Sequence, residues 1–460
     1  MEAEKLRLVG LEQQVPLVTG GTTRYVNLDY AASAPALVAV AEAVEALGTW
    51  YSSVHRGAGF KSRVATAAYE GAREAVRSFF GARADDAVIF TRNTTDSINL
   101  FAAALPDEVE VIGFAGEHHA NLLPWQRPTF ACLPVAASPD ELLERLEGAL
   151  RQGSGPRLVA ITGASNVTGE IVPLDRVAEL AHRHGARLLV DAAQLAPHRP
   201  IDMAASGIDY LAMSGHKLYA PYGAGVLIGR GDWLGGGPFL RGGGAVKLVT
   251  VDDVVWAELP DRQEAGSPNV LGAVALGTAC AALAAYGMDR VAADEEELTA
   301  FARTRLTRVP GFEHYTLWGA AAPRVGLFTF NLAGYEHERL AAILSAEHGI
   351  GVRHGCFCAH PLMIELLRIE RAEADGLIEA TRRGEHPRLP GAARISFGLG
   401  STRDDVERVA CALEAIAADG PHWRYRLDPL TDEWEPDPDP RQFPDLPFAL
   451  AHLESAGEAS

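Results

Sequence analysis

The stretch Tyr210-Leu211-Ala212-Met213-Ser214-Gly215-His216-Lys217-Leu218-Tyr219 decides the fold class of this 460-residue chain. Its first half is apolar and predicts a buried strand, and Ser214, His216 and Lys217 follow where that strand ends. A lysine at such a strand exit can form a Schiff base with an aldehyde cofactor, and a nearby hydroxyl and imidazole can hold an anionic group. A single lysine is more often a solvated loop residue, so the assignment depends on the rest of the chain.

A second predicted strand ends in a carboxylate. The apolar run at 188–190 is followed by Asp191, with Gln194 shortly after it. The distance along the chain from Asp191 to Lys217 leaves room for one crossover, so the two strand ends would open on one crevice of an α/β sheet. An aspartate there is either a loop cap or the partner of a pyridinium nitrogen, which pyridoxal 5′-phosphate (PLP) requires.

Three further segments carry groups that suit the same cofactor. The segment at 88–100 predicts a strand, a tight turn and a helix that begins at Thr94 and Thr95, and helix N-termini bind phosphate. The first imidazole of the pair His118-His119 could stack on the cofactor ring and relay protons. We set aside a metal role for that pair, because adjacent histidines rarely chelate one ion. Asn166, after the strand at 158–161, could bond the ring hydroxyl.

In this order, the segments resemble the class V aminotransferase-fold PLP enzymes, and among them the cysteine desulfurases and selenocysteine lyases of the SufS and CsdA type. The resemblance covers about residues 20–415 and includes the stretches at 28–34, 54–57, 117–121, 165–169, 191–194, 214–217, 264–269 and 353–362. It implies an α/β protein of PLP-dependent transferase fold type I, with a mostly parallel central sheet and a smaller C-terminal α/β domain. We predict an N-terminal arm at 1–30, a large PLP-binding domain at 31–285, a small domain at 286–420 and a Pro- and acid-rich extension at 421–460.

The resemblance also implies a role for each matching residue. Lys217 would be the Schiff-base lysine, and the cofactor would further be bound by Thr94, Thr95, His118, Asn166, Asp191, Gln194, Ser214, His216 and, from the partner subunit of a homodimer, Ser267. Substrate would be bound by His55, Arg56, Arg353 and Arg394, and Arg394 would clamp its carboxylate because a guanidinium can make two parallel bonds.

The segment Arg353–Leu362 decides the reaction. Cys358 matches the cysteine whose thiolate, in relatives that remove sulfur, attacks the sulfur of the substrate and yields alanine and a persulfide. Cys356 departs from those relatives. Three other interpretations stay open at this point. Cys356 and Cys358 could form a metal knuckle with His354 and His360, or a redox disulfide, or Cys358 could merely shape the pocket of an enzyme with another reaction.

Two segments of the chain differ from close relatives. The stretch at 363–392 is longer and predicts a charged helix, Ile364–Arg383, followed by a loop over the mouth of the site. The Pro- and acid-rich tail after Gly420 is an addition. Both leave room for another class V reaction on an amino acid, such as C–S lysis, epimerisation, transamination or cyclisation. A non-catalytic sulfur- or metal-binding protein is the remaining alternative.

Composition sets the expected surroundings. The net charge of −19 argues against nucleic-acid and anionic-membrane partners, and the alanine-rich run at 271–286 predicts a buried helix and not a membrane span. Five cysteines in a chain of this length do not predict a disulfide scaffold, and no signal peptide is expected. We therefore expect a cytoplasmic enzyme with an amino-acid substrate and no resident metal. The resemblance adds a homodimer with shared active sites and allows a sulfur acceptor protein as a partner.

Overall fold

A computed structural model describes residues 6–55, 57–153, 155–428 and 433–444. The described chain alternates strands and helices through most of its length. Its strands are β1 (Gln14–Pro16), β2 (Thr22–Arg24), β3 (Val26–Asn27), β4 (Ala87–Thr91), β5 (Glu110–Phe114), β6 (Phe130–Leu133), β7 (Arg157–Thr162), β8 (Ala186–Asp191), β9 (Tyr210–Ser214), β10 (Gly225–Gly229), β11 (Val246–Val249), β12 (Val254–Trp256), β13 (Phe312–His314), β14 (Leu327–Leu332), β15 (Ile350–Gly351), β16 (Arg353–Gly355), β17 (Ala392–Ser396), β18 (Tyr425–Leu427) and β19 (Trp434–Pro436).

The helices lie between these strands and cover the faces of the sheets. They are α1 (Val38–Trp50), α2 (Phe60–Phe79), α3 (Thr94–Ala104), α4 (Pro139–Leu150), α5 (Leu174–Arg183), α6 (Gly231–Leu234), α7 (Val270–Tyr286), α8 (Met288–Leu306), α9 (His337–His348), α10 (His360–Leu366), α11 (Arg371–Arg382) and α12 (Arg403–Asp419).

A seven-stranded sheet forms the centre of the molecule, in the order β4-β10-β9-β8-β7-β5-β6. The pairs from β9 to β6 are parallel, and β10 runs antiparallel to both of its neighbours. Strands β9 and β10 are buried at every position, as their unbroken apolar sequences predict for a sheet covered on both faces. The predicted α/β fold with a mostly parallel sheet is therefore confirmed. Because β8 and β9 are parallel neighbours, Asp191 and Ser214 end at the same edge of the sheet.

A second, four-stranded antiparallel sheet follows in the order β13-β14-β17-β16. Its core includes Phe328, Phe330 and Ile395, and α9 and α12 pack on it. The register places Arg353 of β16 directly opposite Arg394 of β17. The N-terminal strand β3 pairs with β15 in this part of the molecule. The proposed domain limits stay a prediction.

The predicted single helix Ile364–Arg383 is wrong. The structure has two helices there, α10 and α11, with a break between Leu366 and Arg371. The backbone of Arg368 in the break has φ 55°, a left-handed value that cannot continue a right-handed helix. The prediction missed the break because that stretch holds neither glycine nor proline, the usual helix breakers.

Among the described residues, no helix by itself has the length and apolar character of a membrane span, although α7 and α8 satisfy both criteria together, across a 77° bend.

Candidate active site

The predicted site residues meet in a cavity of about 270 Å³ at the carboxyl edge of the central sheet. Strands β8 and β9, the N-terminus of α3 and the loop after β16 supply its walls. This is the edge at which ligands of open α/β sheets bind. Of the predicted residues, the cavity is lined by Thr94, Thr95, His118, Asn166, Asp191, Gln194, Ser214, His216, Lys217, Arg353, Cys358 and Arg394.

Asp191 lies buried, and Lys217 half-buried, in the floor of the cavity. Burial lowers the pKa of Lys217 to about 8, and the negative charge of Asp191 opposes that effect. Burial raises the pKa of Asp191, against the hydrogen bond that its Oδ1 accepts from the Ala193 backbone and the charge of Lys217. The structure thus holds an amine that is partly neutral near pH 7 beside a carboxyl group shielded from water. That is the pairing which a PLP site needs for covalent attachment and for the ring nitrogen.

The end of the cavity that is predicted to bind phosphate is formed by α3 and the turn after β9. The hydroxyl of Ser214 accepts a hydrogen bond from the Thr94 backbone at 2.8 Å and lies 2.8 Å from the Thr94 hydroxyl. The Asn93 side chain caps α3 by accepting from the Asp96 backbone. These contacts hold the positive end of the helix against the cavity, where an anion is stabilised. Burial lowers the pKa of His216, in the same wall, to about 4.

His118 faces the cavity as a neutral imidazole. Its Nδ1 accepts a hydrogen bond from the Ala120 backbone at 3.0 Å, so the ring proton is on Nε2. Burial lowers the pKa of His118 to about 4, with the Lys217 charge acting in the same direction. The preceding residue, Glu117, anchors the segment by accepting from the Thr162 backbone and the Asn121 amide. A rigidly held neutral imidazole can stack on an aromatic ring and exchange a proton through Nε2.

Two amide side chains, those of Gln194 and Asn166, also line the cavity. Gln194 is buried, and its Oε1 has no hydrogen-bond partner within the described structure, while its Nε2 lies 3.4 Å from Nε2 of His198. A buried amide oxygen of this kind is costly unless a ligand or water satisfies it. Asn166 donates a hydrogen bond from Nδ2 to the Phe357 carbonyl at 2.7 Å, so this side chain is bonded to the loop that carries Cys358. Together with Lys217, Asp191 and the α3 terminus, the unsatisfied Gln194 fits a PLP site.

Arg394 lies buried in β17 on the opposite wall. Its Nη1 donates to the Asn166 carbonyl at 2.8 Å, its Nη2 reaches Asp29 Oδ1 at 3.2 Å, and its Nε has no partner within the described structure. Burial lowers the pKa of Arg394 to about 10, although Asp29 opposes this. Sequence reasoning missed Asp29 as a partner because it lies 365 residues away along the chain. Arg353 lines the same wall.

Cys358 is exposed on a loop with an unusual backbone. Phe357 and Cys358 have φ of 53° and 54°, and each left-handed non-glycine residue costs about 1–2 kcal/mol. The loop is held in this shape from outside, because the Cys358 carbonyl accepts from the His119 backbone at 2.8 Å. The His360 backbone in turn donates to Nε2 of His119 at 3.2 Å. Sequence reasoning assigned no separate role to His119, which it considered only together with His118.

Cys356 is turned away from the cavity. Its thiol donates to the Pro390 carbonyl at 2.8 Å, and burial raises its pKa to about 11. Both Cys356 and Cys358 are free thiols in this structure. His360 pairs with His119, and His354 lies beside His337 and Glu338, so the described residues do not assemble the knuckle of two cysteines and two histidines.

Two of the predicted residues that the structure describes, His55 and Ser267, do not line this cavity. His55 and Ser267 line a different cavity of about 390 Å³, where His55 Nε2 lies 2.8 Å from Glu70. Arg56 lies outside the described residues. Within one chain, the cavity of His55 and Ser267 is therefore distinct from that of Lys217.

The geometry agrees with what comparison with known proteins shows. Residues 26–409 match the family model of the class V aminotransferases. The chain belongs to the class V aminotransferase family. It is a PLP-dependent enzyme, as members of the family are. The end of the match leaves β18 and β19 outside the family region.

Individual relatives are similar over nearly their whole length. The chain is 38% identical over 402 residues to a probable cysteine desulfurase of Halalkalibacterium halodurans. The aligned region covers 85% of this chain and 92% of that protein. The crystal structure of the cysteine desulfurase CsdA from Escherichia coli has a TM-score of 0.70 at 34% identity, covering 85% of this chain and 94% of that one. The apo cysteine desulfurase from Thermococcus onnurineus has a TM-score of 0.74 at 27% identity, covering 91% and 99%.

Proposed function

We propose that this protein is a cysteine desulfurase, which removes sulfur from L-cysteine, or selenium from selenocysteine, and releases alanine. The observation that carries the proposal is the position of Cys358, whose exposed thiol lines the same cavity as Lys217 and Arg394. The relatives reported above carry the cysteine desulfurase name. A thiol in reach of the substrate is what sulfur transfer needs and what a plain transamination does not.

The residues of the cavity have different roles toward the cofactor. Bound PLP supplies an electron sink for the substrate carbon atoms. Asp191 holds a proton on the ring nitrogen, and Lys217 is the attachment point, with enough neutral amine near pH 7 to act as a nucleophile and then as a base. His118 would hold the ring and exchange protons through Nε2, the nitrogen left free by its Ala120 contact. Thr95, Ser214 and His216 hold the phosphate.

Arg394 and Cys358 act on the substrate itself. Arg394 binds the carboxylate of the amino acid, which leaves the substrate side chain free to point at the thiol loop. The Cys358 thiolate attacks the substrate sulfur, so an S–S bond forms on the protein while the Cβ–S bond breaks. The electron pair of the broken bond stays with the carbon, which takes up a proton to become the methyl group of alanine. The sulfur remains as a Cys358 persulfide until an acceptor removes it.

A pair of matched cysteine variants tests the proposal. Cys358→Ala should retain PLP and bind cysteine, as judged by the visible spectrum, but form neither persulfide nor alanine. Cys356→Ala should keep most activity, because that thiol is bonded to Pro390 and not directed at the cavity. Alanine, sulfide and pyruvate are quantified after incubation with cysteine and selenocysteine. Pyruvate as the product would favour a C–S lyase, and full alanine formation by Cys358→Ala would refute sulfur transfer to this residue.

We further propose a homodimer with shared sites. His55 and Ser267 line one cavity that lacks Lys217, and the family resemblance assigns both residues to an active site. His55 and Ser267 can both belong to an active site if their cavity faces the Lys217 cavity of a second copy of the chain. A monomer that is fully active on dilution, by light scattering and assay together, would contradict this. Five free thiols suit a reducing compartment, so we place the enzyme in the cytoplasm with a sulfur acceptor protein as its partner.

A further inference from the structure

A cluster of metal-binding side chains lies behind the cysteine loop, outside the active-site cavity. His337 and Glu338 begin α9, and His354 is the middle residue of β16. One ligand atom from each of the three lies within 4.8 Å of the other two. The rings of His337 and His354 are nearly parallel, with centroids 5.8 Å apart. Two imidazoles and a carboxylate form a common protein ligand set for zinc, which leaves a fourth position for water.

The surroundings of His337 suit a metal ligand. Its Nδ1 is buried and has no hydrogen-bond partner within the described structure, so this nitrogen is open to a ligand. His337 Nε2 lies 3.9 Å from the Glu338 carboxylate. Ligand atoms around tetrahedral zinc are about 3.4 Å apart, so small side-chain rotations bring the cluster to bonding distance.

Two other segments of the chain pack against the start of α9, next to the cluster. From the long segment at 363–392, Arg388 forms an ion pair with Glu336, and the backbone at Gly391 approaches His337 so closely that a Cβ there would lie 2.6 Å from Nε2. From the tail beyond the family match, Trp434 donates to Glu336 at 3.2 Å and stacks under Arg339. The segment at 363–392 thus contacts His337 itself, and the tail contacts the neighbouring Glu336 and Arg339.

We propose that His337, Glu338 and His354 bind one zinc ion, which fastens the start of α9 to β16. The next residues after β16 form the loop of Cys356 and Cys358, so the bound ion would restrain the entry to that loop. The site is separate from the cavity of Lys217, which none of the three residues lines.

The test measures zinc binding to the PLP-loaded enzyme. A Cys358→Ser background is used, because the catalytic thiol is itself a zinc ligand. We expect about one zinc per chain by equilibrium dialysis and metal analysis, and at least tenfold weaker binding in His337→Ala and His354→Ala. Glu338→Gln, which preserves size, should also weaken binding. His386→Ala, at an exposed loop histidine, is the matched control and should bind normally.

A second readout locates the ion. Zinc should slow backbone hydrogen exchange at 353–355 and 384–391 in the control and not in His337→Ala. Retention of the PLP absorbance shows that each variant is folded. If an alanine variant loses this absorbance, zinc binding by Glu338→Gln decides whether the cluster binds the ion. Equal zinc binding in the control and in Glu338→Gln, or the absence of any zinc binding once Cys358 is replaced, would overturn the proposal.

Discussion

The environment of Lys217 makes a quantitative prediction about cofactor attachment. Burial lowers the pKa of this amine from 10.5 to about 8, which corresponds to about 3 kcal/mol in favour of the neutral form. At pH 7, about one tenth of Lys217 is then neutral, against about one in 3,000 for an ordinary lysine. Attachment of PLP to the cofactor-free enzyme should therefore be about 300-fold faster at pH 7 than an exposed lysine allows, and its rate should rise with a midpoint near pH 8.

Asp191→Asn tests how the charge of Asp191 contributes to the pKa of Lys217. The Asp191 charge is the main contribution that raises the pKa of Lys217, so its removal should move the midpoint below pH 8. The rate is followed by absorbance after mixing with PLP at a series of pH values, and borohydride reduction followed by mass spectrometry identifies the modified residue. Lys247→Ala, at an exposed lysine paired with Glu258, is the control. A midpoint near pH 10, or an upward shift in Asp191→Asn, would refute this account of the site.

Three further changes have expected outcomes. Arg394→Lys should raise the KM for cysteine at least tenfold with a smaller loss of kcat, since a point charge replaces a two-pronged donor; steady-state kinetics with unchanged KM would contradict the clamp. Asp191→Asn should keep bound PLP and lose most turnover, and near-normal rates would mean that another group faces the ring nitrogen. Gly277→Ala should lower stability by about 1–3 kcal/mol in denaturant unfolding, because its new Cβ would lie 2.6 Å from the Cα of Ala72; an unchanged midpoint would show that α2 and α7 separate freely.

The sequence could predict the floor of the site because each part of it is local. An apolar run that stops at a polar residue marks a strand end, and β8 and β9 both end in this way. Parallel neighbours then bring Asp191 and Lys217 to one edge without further information. The start of α3 is likewise local, since a short polar turn after β4 defines it.

The opposite wall could not be predicted from local pattern, because its contacts join distant parts of the chain. Arg394 contacts Asp29, 365 residues away, and Asn166 reaches Phe357, 191 residues away. No periodic pattern in the sequence predicts contacts between residues so far apart along the chain. The left-handed backbone of Phe357 and Cys358 has no sequence marker either, because such values favour glycine and neither residue is one. The resemblance to a family located these residues, and only the structure gives their partners.

The adjacent histidines show how the two walls are joined. His118 turns its ring into the cavity with Nδ1 bound to the Ala120 backbone, whereas His119 turns outwards and holds the Cys358 carbonyl and the His360 backbone. One short segment therefore sets both the orientation of the His118 imidazole in the cavity and the backbone of the thiol loop. Since that loop carries two left-handed residues, it would relax if the His119 contacts were lost. The position of the Cys358 thiol in the cavity thus depends on His119, which does not itself line that cavity.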